Sequence, residues 1–406
     1  MTKLAIVLSR ATRGLLIASL LGVAALVPQG AYAQAQTSAE FSEKYNAGVT
    51  AYKGHDLGKA LASAKEAHGV AKSSFEKTAA LKLLLVVAGA SGRVQDQQEA
   101  LEQLLNTEGV SAAEKVQFHK SLAPIYAATN HYDKAVNEMK SYLAAGAGSA
   151  ADWEVLAQLQ YGAHDCKGAL ESIDRASPAG KEASESVLKL RYTCYSQGGE
   201  KGKTTAVAEE LLRRFPAKQW FQAVLADIEA KKPDDLAMLG VLRFGYERDF
   251  LADEGDFTKM ADLALSEGTT AEAQHVLEKA FSKKVIGAKG KEKAESLLKQ
   301  AKDRAAEDAK TLSQLDAESK AGKNGETDVK VGLRYFSMGQ YDKAADAIAR
   351  GLSADHVAKV RRPDEANLVL GICYTKLKKK AEADKAFAAA KADPRMAVAA
   401  KMWAGN

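Results

Sequence analysis

Proline is scarce, at 7 of 406 residues, and aromatic side chains supply only 7% of the chain. An all-β sandwich needs frequent Gly/Pro turns and many β-branched or aromatic positions, so that class is excluded. Only 3 cysteines are present. That is too few for the disulfide framework of a small secreted fold, but leaves room for one bridge and one spare thiol. Neither charge dominates: 57 Lys and Arg stand against 52 Asp and Glu, a formal net of +5. Such a balance makes no electrostatic case for nucleic acid or acidic lipid. A mean hydropathy of -0.26 excludes a polytopic membrane protein.

Catalytic signatures are missing as well. There is no H-E-x-x-H, no G-x-S-x-G elbow and no G-x-G-x-x-G. Gly202-Lys203-Thr204 looks like the end of a phosphate loop, yet Gln197 stands where the leading Gly belongs and no strand precedes it. His55, His131 and His164 fall in expected inter-helix turns, where polar residues belong. His164-Asp165-Cys166 lacks the further partners that a tetrahedral metal site requires. No catalytic residue, metal site or cofactor is expected.

Ala, Leu, Lys and Glu are abundant, and they favour helix. Lys3, Arg10 and Arg13 open the chain without an acid among them, an apolar run extends from Leu15 to Val27, and Pro28 breaks it. Ala31-Tyr32-Ala33 then places small residues at −3 and −1 of a cut before Gln34. This is the three-part layout of a cleaved secretory signal peptide over residues 1–33. The run is short of the roughly 20 residues that span a bilayer. Cleavage leaves 54 basic and 52 acidic residues, a net of +2. The expected location is the periplasm of a Gram-negative bacterium, with no stable membrane insertion after cleavage.

One pattern recurs along the rest. An apolar helix carries a small residue and an aromatic, a polar turn follows, and then comes Ala with apolar residues four and seven positions on. The copy from Asp364 has Leu370-Gly371, Tyr374, Ala383, Phe387, Ala390 and Pro394. The copy before it has Gly332, Tyr335, Ala344, Ile348 and Gly351. Trp153, Leu156-Ala157, Ala169 and Ile173 make another; Leu122-Ala123, Tyr126, Ala135 and Met139 a fourth. Weaker copies centre on Gly48 with Ala60, and on Val87-Ala88 with Ala100. The marker alanines Ala60, Ala100, Ala135 and Ala169 are 40, 35 and 34 residues apart.

These residues resemble the tetratricopeptide repeat, a helix–turn–helix unit of about 34 residues with the pattern W-x2-L-G-x2-Y, then A-x3-F, A and P. The resemblance implies an all-α fold, an α-solenoid wound as a right-handed superhelix. One hairpin cannot bury its apolar face alone, so hairpins must stack. The expected organisation is an N-terminal array over 34–216, a divergent helical region over 217–324 and C-terminal repeats over 325–406. Pro124 predicts a kink or a late start in its helix. Residues 288–321 predict a long, mostly solvated helix, and Gly322-Lys323-Asn324-Gly325 a flexible linker after it. Trp403 is expected to cap the last apolar edge.

The same resemblance implies function. Helix A positions of the family line a groove that holds an extended peptide or a partner helix. The matching positions here are Tyr45, Tyr52, Lys120, Glu154, Gln158 and Lys189, and the basic and asparagine clamp for a terminal carboxylate is absent from them. The frame also brings Cys166 and Cys194 to one edge between neighbouring hairpins, as a disulfide or as two reduced fillers, with Cys373 a buried thiol. The expected protein is a non-enzymatic adaptor for a protein or peptide partner of the cell envelope, in assembly or transport. The other reading is a hydrolase of cell-wall polymer, or its accessory subunit, with a site in 217–290. Its candidate carboxylates are Glu247, Asp249, Asp253 and Glu254. The lysines from Lys376 to Lys380 are a solvated turn or a contact for an acidic partner.

Overall fold

The computed structural model describes residues 37–146, 148–177, 182–322, 324–353 and 355–404. The expected signal peptide and its cleavage site lie outside the described residues. Every regular element described is a helix. The chain divides into two compact units, with the boundary after Cys194.

In the first unit, helices α1 (Ala39–Lys53), α3 (Ser74–Ala90), α5 (Ala112–Ala128) and α7 (Ala150–Gly162) each lead into a shorter partner: α2 (Leu57–Val70), α4 (Val94–Asn106), α6 (Tyr132–Ala144) and α8 (Cys166–Ala176). Each packs on its partner, and α2, α4 and α6 pack on the first helix of the next hairpin. Helix α9 (Glu185–Gln197) crosses the unit boundary. The sequence sets these bounds locally. Ser73, Ser111 and Ser149 each accept a hydrogen bond from the backbone three residues on, while Glu76, Glu114 and Asp152 reach back, which makes three capping boxes. The turns close on one left-handed residue each, His55, Gly92, Asn130 and His164. Two of the three turn histidines therefore answer a backbone demand, and Asp165 beside His164 caps α8 by accepting from the Gly168 N–H at 2.8 Å. Among the described residues no cluster of ligand-type side chains could hold a metal ion.

The core of this unit is Ala, Leu and Val. Ala60, Ala64, Ala88, Ala100, Ala123, Ala135, Ala157 and Ala169 are all fully buried. These small residues let helices approach, as the repeat frame requires. Pro124 sits inside α5, which starts at Ala112 and runs unbroken to Ala128, so the expected late start is corrected. An early capping box at Ser111 fixes that start upstream of the proline.

The second unit holds α10 (Lys201–Arg214), α11 (Lys218–Ala230), α12 (Asp235–Glu247), α13 (Glu254–Ser266), α14 (Thr270–Ser282) and α15 (Lys291–Ala321). Two tetratricopeptide-like hairpins follow, α16 (Gly325–Ser337) with α17 (Tyr341–Gly351) and α18 (Pro363–Lys376) with α19 (Lys380–Lys391). Helix α20 (Ala397–Ala404) ends the described chain. A Cβ on Gly332 would collide with Ile348, and one on Gly371 with the Phe387 ring. Those are the small-against-large contacts that the repeat pattern implies.

Helix α15 is the long helix expected, mostly exposed, with Ala294, Ala301, Ala305, Leu312 and Ser319 on its buried face. Of the expected linker, Lys323 lies outside the described residues, and Asn324 and Gly325 are held by packing. Asn324 caps α16 by accepting from Glu326 N, and Gly325 is buried so closely that a Cβ would lie 2.5 Å from the carbonyls of Gly351 and His356. Gly325 serves close backbone approach instead of freedom. No described helix is long and apolar enough to cross a membrane.

Candidate partner-binding surface

Each hairpin has a reference point, the small residue of its first helix that meets the second. It is Gly48, Ala88, Ala123 and Ala157 in the first unit, and Gly332 and Gly371 in the second. Residues at −6, −3, +1 and +4 from it share one helix face. The expected groove residues lie on that face, at −3 or at a neighbouring step.

In the first unit this face is open at several positions, though Leu85, at −3 on α3, is 1% exposed. Tyr45 and Tyr52, both on α1, are half-buried against the core, and Tyr45 stacks on Phe41 with ring centroids 5.5 Å apart. Lys120 on α5 is spoken for: its ammonium lies 2.8 Å from Asp152, donates to the Tyr142 hydroxyl at 3.1 Å and sits 4.6 Å over that ring. Burial works against its charge, but the Asp152 and Tyr142 bonds hold its pKa above the ordinary lysine value. Glu154 accepts from Ser184 Oγ at 3.2 Å, and Lys189 pairs with Glu185 at 2.6 Å. Gln158 is exposed. The six residues therefore lie on α1, α5, α7 and α9, with none on α3, and most make a side-chain contact with a neighbour.

Cys166, the first residue of α8, and Cys194 on α9 are joined as a disulfide with Cα atoms 5.3 Å apart. Cys373 is a buried free thiol, and burial pushes its pKa up to about 12.

The second unit presents the same positions differently. Glu365, Leu368 and Ile372 of α18 are at most 5% exposed, and Val329, Leu333 and Phe336 of α16 are buried. What covers α18 is α12. Ten consecutive residues of α12, Leu236 to Gly245, are buried. A Cβ on its Gly240 would come 2.6 Å from Leu368 and 2.9 Å from Ala399. Trp403 Nε1 donates to the Gly240 carbonyl at 3.0 Å, and its ring meets Phe244 edge-on at 5.6 Å. Trp403 thus closes an apolar edge by packing on α12. The helix is pinned at both ends: Arg362 bonds Asp234 at 2.9 Å before its first turn, and Lys376 pairs with Glu247 in its last. The two helices therefore run side by side in the same direction. In the turn after α18, Lys378 takes the left-handed conformation and Lys380 pairs with Asp384 at 3.4 Å.

A buried arginine lies within this interior. Arg243 of α12 is 4% exposed and bonds Glu272 of α14 through Nε at 2.8 Å and Nη2 at 2.7 Å. Its guanidinium lies 5.0 Å over the Phe336 ring. Sequence reasoning missed it. The signal was present in 236–246, Leu-Ala-Met-Leu-Gly-Val-Leu-Arg-Phe-Gly-Tyr, which is apolar on all sides and so marks a buried helix.

The four carboxylates of the hydrolase reading are not brought together for chemistry. Glu247 pairs with Lys376, and Asp249 with Lys279 at 3.0 Å and Lys283 at 2.5 Å. Those two lysines hold the Asp249 carboxyl below its usual value. Asp253 caps α13, and Glu254 accepts from Gly287 N at 2.7 Å. A cavity of about 470 Å³ opens beside Trp153, Gln160 and Arg175, and one of about 410 Å³ beside Leu212, Phe244 and Val398. Neither is lined by these carboxylates or by the expected groove residues.

No family model and no curated protein matches the chain. Solved structures that resemble it include a tetratricopeptide repeat protein from Parabacteroides merdae ATCC 43184, 14% identical, TM-score 0.34, over 65% of this chain and 99% of that one. A structure of Naa15/Naa10 bound to HypK-THB is 15% identical, TM-score 0.35, over 93% and 68%. The APC/C hetero-tetramer Cut9-Hcn1 is 13% identical, TM-score 0.26, over 79% and 66%.

Proposed function

We propose that this protein is a non-enzymatic scaffold that binds a protein or peptide partner on the first-helix face of its N-terminal hairpins. The observation that carries this is the contrast in cover. Glu365, Leu368 and Ile372 of α18 are buried under α12 in the second unit, whereas in the first unit Tyr45, Tyr52, Glu154 and Lys189 are half-buried and Lys120 and Gln158 are exposed. Pre-ordered helices reduce the ordering cost of binding. Half-buried tyrosines supply apolar area with a polar tip, a combination enriched at interfaces.

The setting we propose is the periplasm of a Gram-negative bacterium, with a partner in cell-envelope assembly or transport. Two features support export: the signal-peptide layout of residues 1–33 and the Cys166–Cys194 bridge, since disulfides persist in oxidising compartments. N-terminal sequencing of mature protein is expected to begin at Gln34. A photo-crosslinking residue at Tyr52 or Gln158 is expected to trap one stoichiometric protein adduct in cells, and the same probe at exposed Glu99 on α4 is not. Equal adducts at all three positions, or none, would overturn the groove assignment.

A further inference from the structure

The interior between α12 and α18 contains an acid that nothing above uses. Glu365, in the first turn of α18, is 5% exposed, and its Oε1 has no hydrogen-bond partner. Across from it, Nη1 of Arg243 is buried and equally unpartnered. Two complementary groups left unbonded in one dry interior are costly, so such atoms call for a physical account. The charges acting on Glu365 come from every side of the seat: Arg243 of α12, Glu267 just after α13, and Arg362 and Asp364 of its own helix start. Glu272 of α14 already saturates the other edge of the guanidinium. From α16 the Phe336 ring closes the same space.

We propose that α12 is an intramolecular ligand seated on the first-helix face of the α18 hairpin, and that protonation of Glu365 sets how tightly it is held. A neutral Glu365 sits in this apolar seat at little cost. An ionised one must be desolvated against Glu267, and the two nearby cations are already committed, Arg243 to Glu272 and Arg362 to Asp234 and Asp364. Burial is the largest cause that raises its pKa, to about 7. The sign follows. A carboxyl whose folded pKa lies above its unfolded value, about 4.3, gives stability present at low pH and lost as pH rises through the folded value. The seat is therefore tight near pH 6 and loosens near pH 8.

Amide hydrogen exchange on the full chain reads this directly, after correction for the chemical exchange rate at each pH. The opening constant of α12 and α18 is expected to rise about tenfold from pH 6 to pH 8, as a group titrating near 7 dictates. Helices α3 and α5 are expected to stay unchanged. In Glu365→Gln, which mimics the neutral acid, the rise in α12 and α18 is expected to vanish. If Glu365→Gln does not fold, Glu365→Leu also removes the titrating group and keeps the Arg243–Glu272 pair. An equal rise in wild type and in the folded variant, or no rise in wild type, overturns the proposal.

Discussion

The α7 hairpin of the first unit and the α18 hairpin of the second leave two matched outer-facing positions in opposite states. At the +1 position, Gln158 of α7 is exposed while Ile372 of α18 is 2% exposed. At −3, Glu154 is half-buried while Leu368 is fully buried. The local chemistry follows: polar side chains where water remains, apolar ones where α12 lies. A solenoid face is thus not a binding site by virtue of its fold. It is one where the chain has left it uncovered, and burial at equivalent positions tells the two apart.

The largest expected effect breaks the covered side. Glu272→Ala removes the one carboxylate that bonds Arg243 and leaves a buried, unpaired guanidinium. The expected cost is about 3–5 kcal/mol to the second unit, read by denaturant unfolding with exchange or a unit-specific probe to separate the transitions. An unchanged midpoint would mean that Arg243 escapes to water and that α12 is not a tight cover. Next comes the disulfide of the first unit. Cys194→Ser is expected to cost about 2–4 kcal/mol, chiefly by freeing the unfolded chain. That loss belongs to the first unit, whose covered counterpart has only the free thiol Cys373.

Acid sharpens the contrast. Glu76, in the capping box of α3, accepts backbone bonds from Ser38 at 2.6 Å, Lys72 at 2.6 Å and Ser73 at 3.2 Å. The Ser38 bond, foremost, and the other two bring its pKa down to about 2. A depressed carboxyl stabilises above its unfolded value and loses that contribution as pH falls from about 4.3 towards 2. Allowing for solvent screening, the loss is about 1 kcal/mol in the first unit, and Glu76→Gln is expected to abolish it. Acid thus weakens the open unit, whereas rising pH is proposed to weaken the covered one.

The hairpins were legible because their requirement is local. A small residue must meet the second helix, and Gly371 with Phe387 or Gly332 with Ile348 announces it by spacing alone. The first-helix face was legible for the same reason, as it follows from position within a hairpin. Its cover was not. Arg362 and Asp234, or Trp403 and the Gly240 carbonyl, are brought together by tertiary packing across more than a hundred residues, and no period links them. Gly325 misled because glycine serves close approach as readily as freedom, and composition does not say which.

The smallest expected effect tests the open side. Gln158→Ala removes an exposed side chain, so its stability change is expected to stay within about 0.5 kcal/mol. The equivalent change on the covered side, Ile372→Ala, removes a buried side chain and leaves a cavity under α12, at about 2–5 kcal/mol. Equilibrium unfolding of both variants gives the difference. The pair is matched in helix, in position and in distance from the small reference residue, so local propensity cannot account for a tenfold disparity in cost. Only cover can. If Gln158→Ala proved as costly as Ile372→Ala, the first-unit face would be packed against something of its own, and the place proposed for a partner would already be filled.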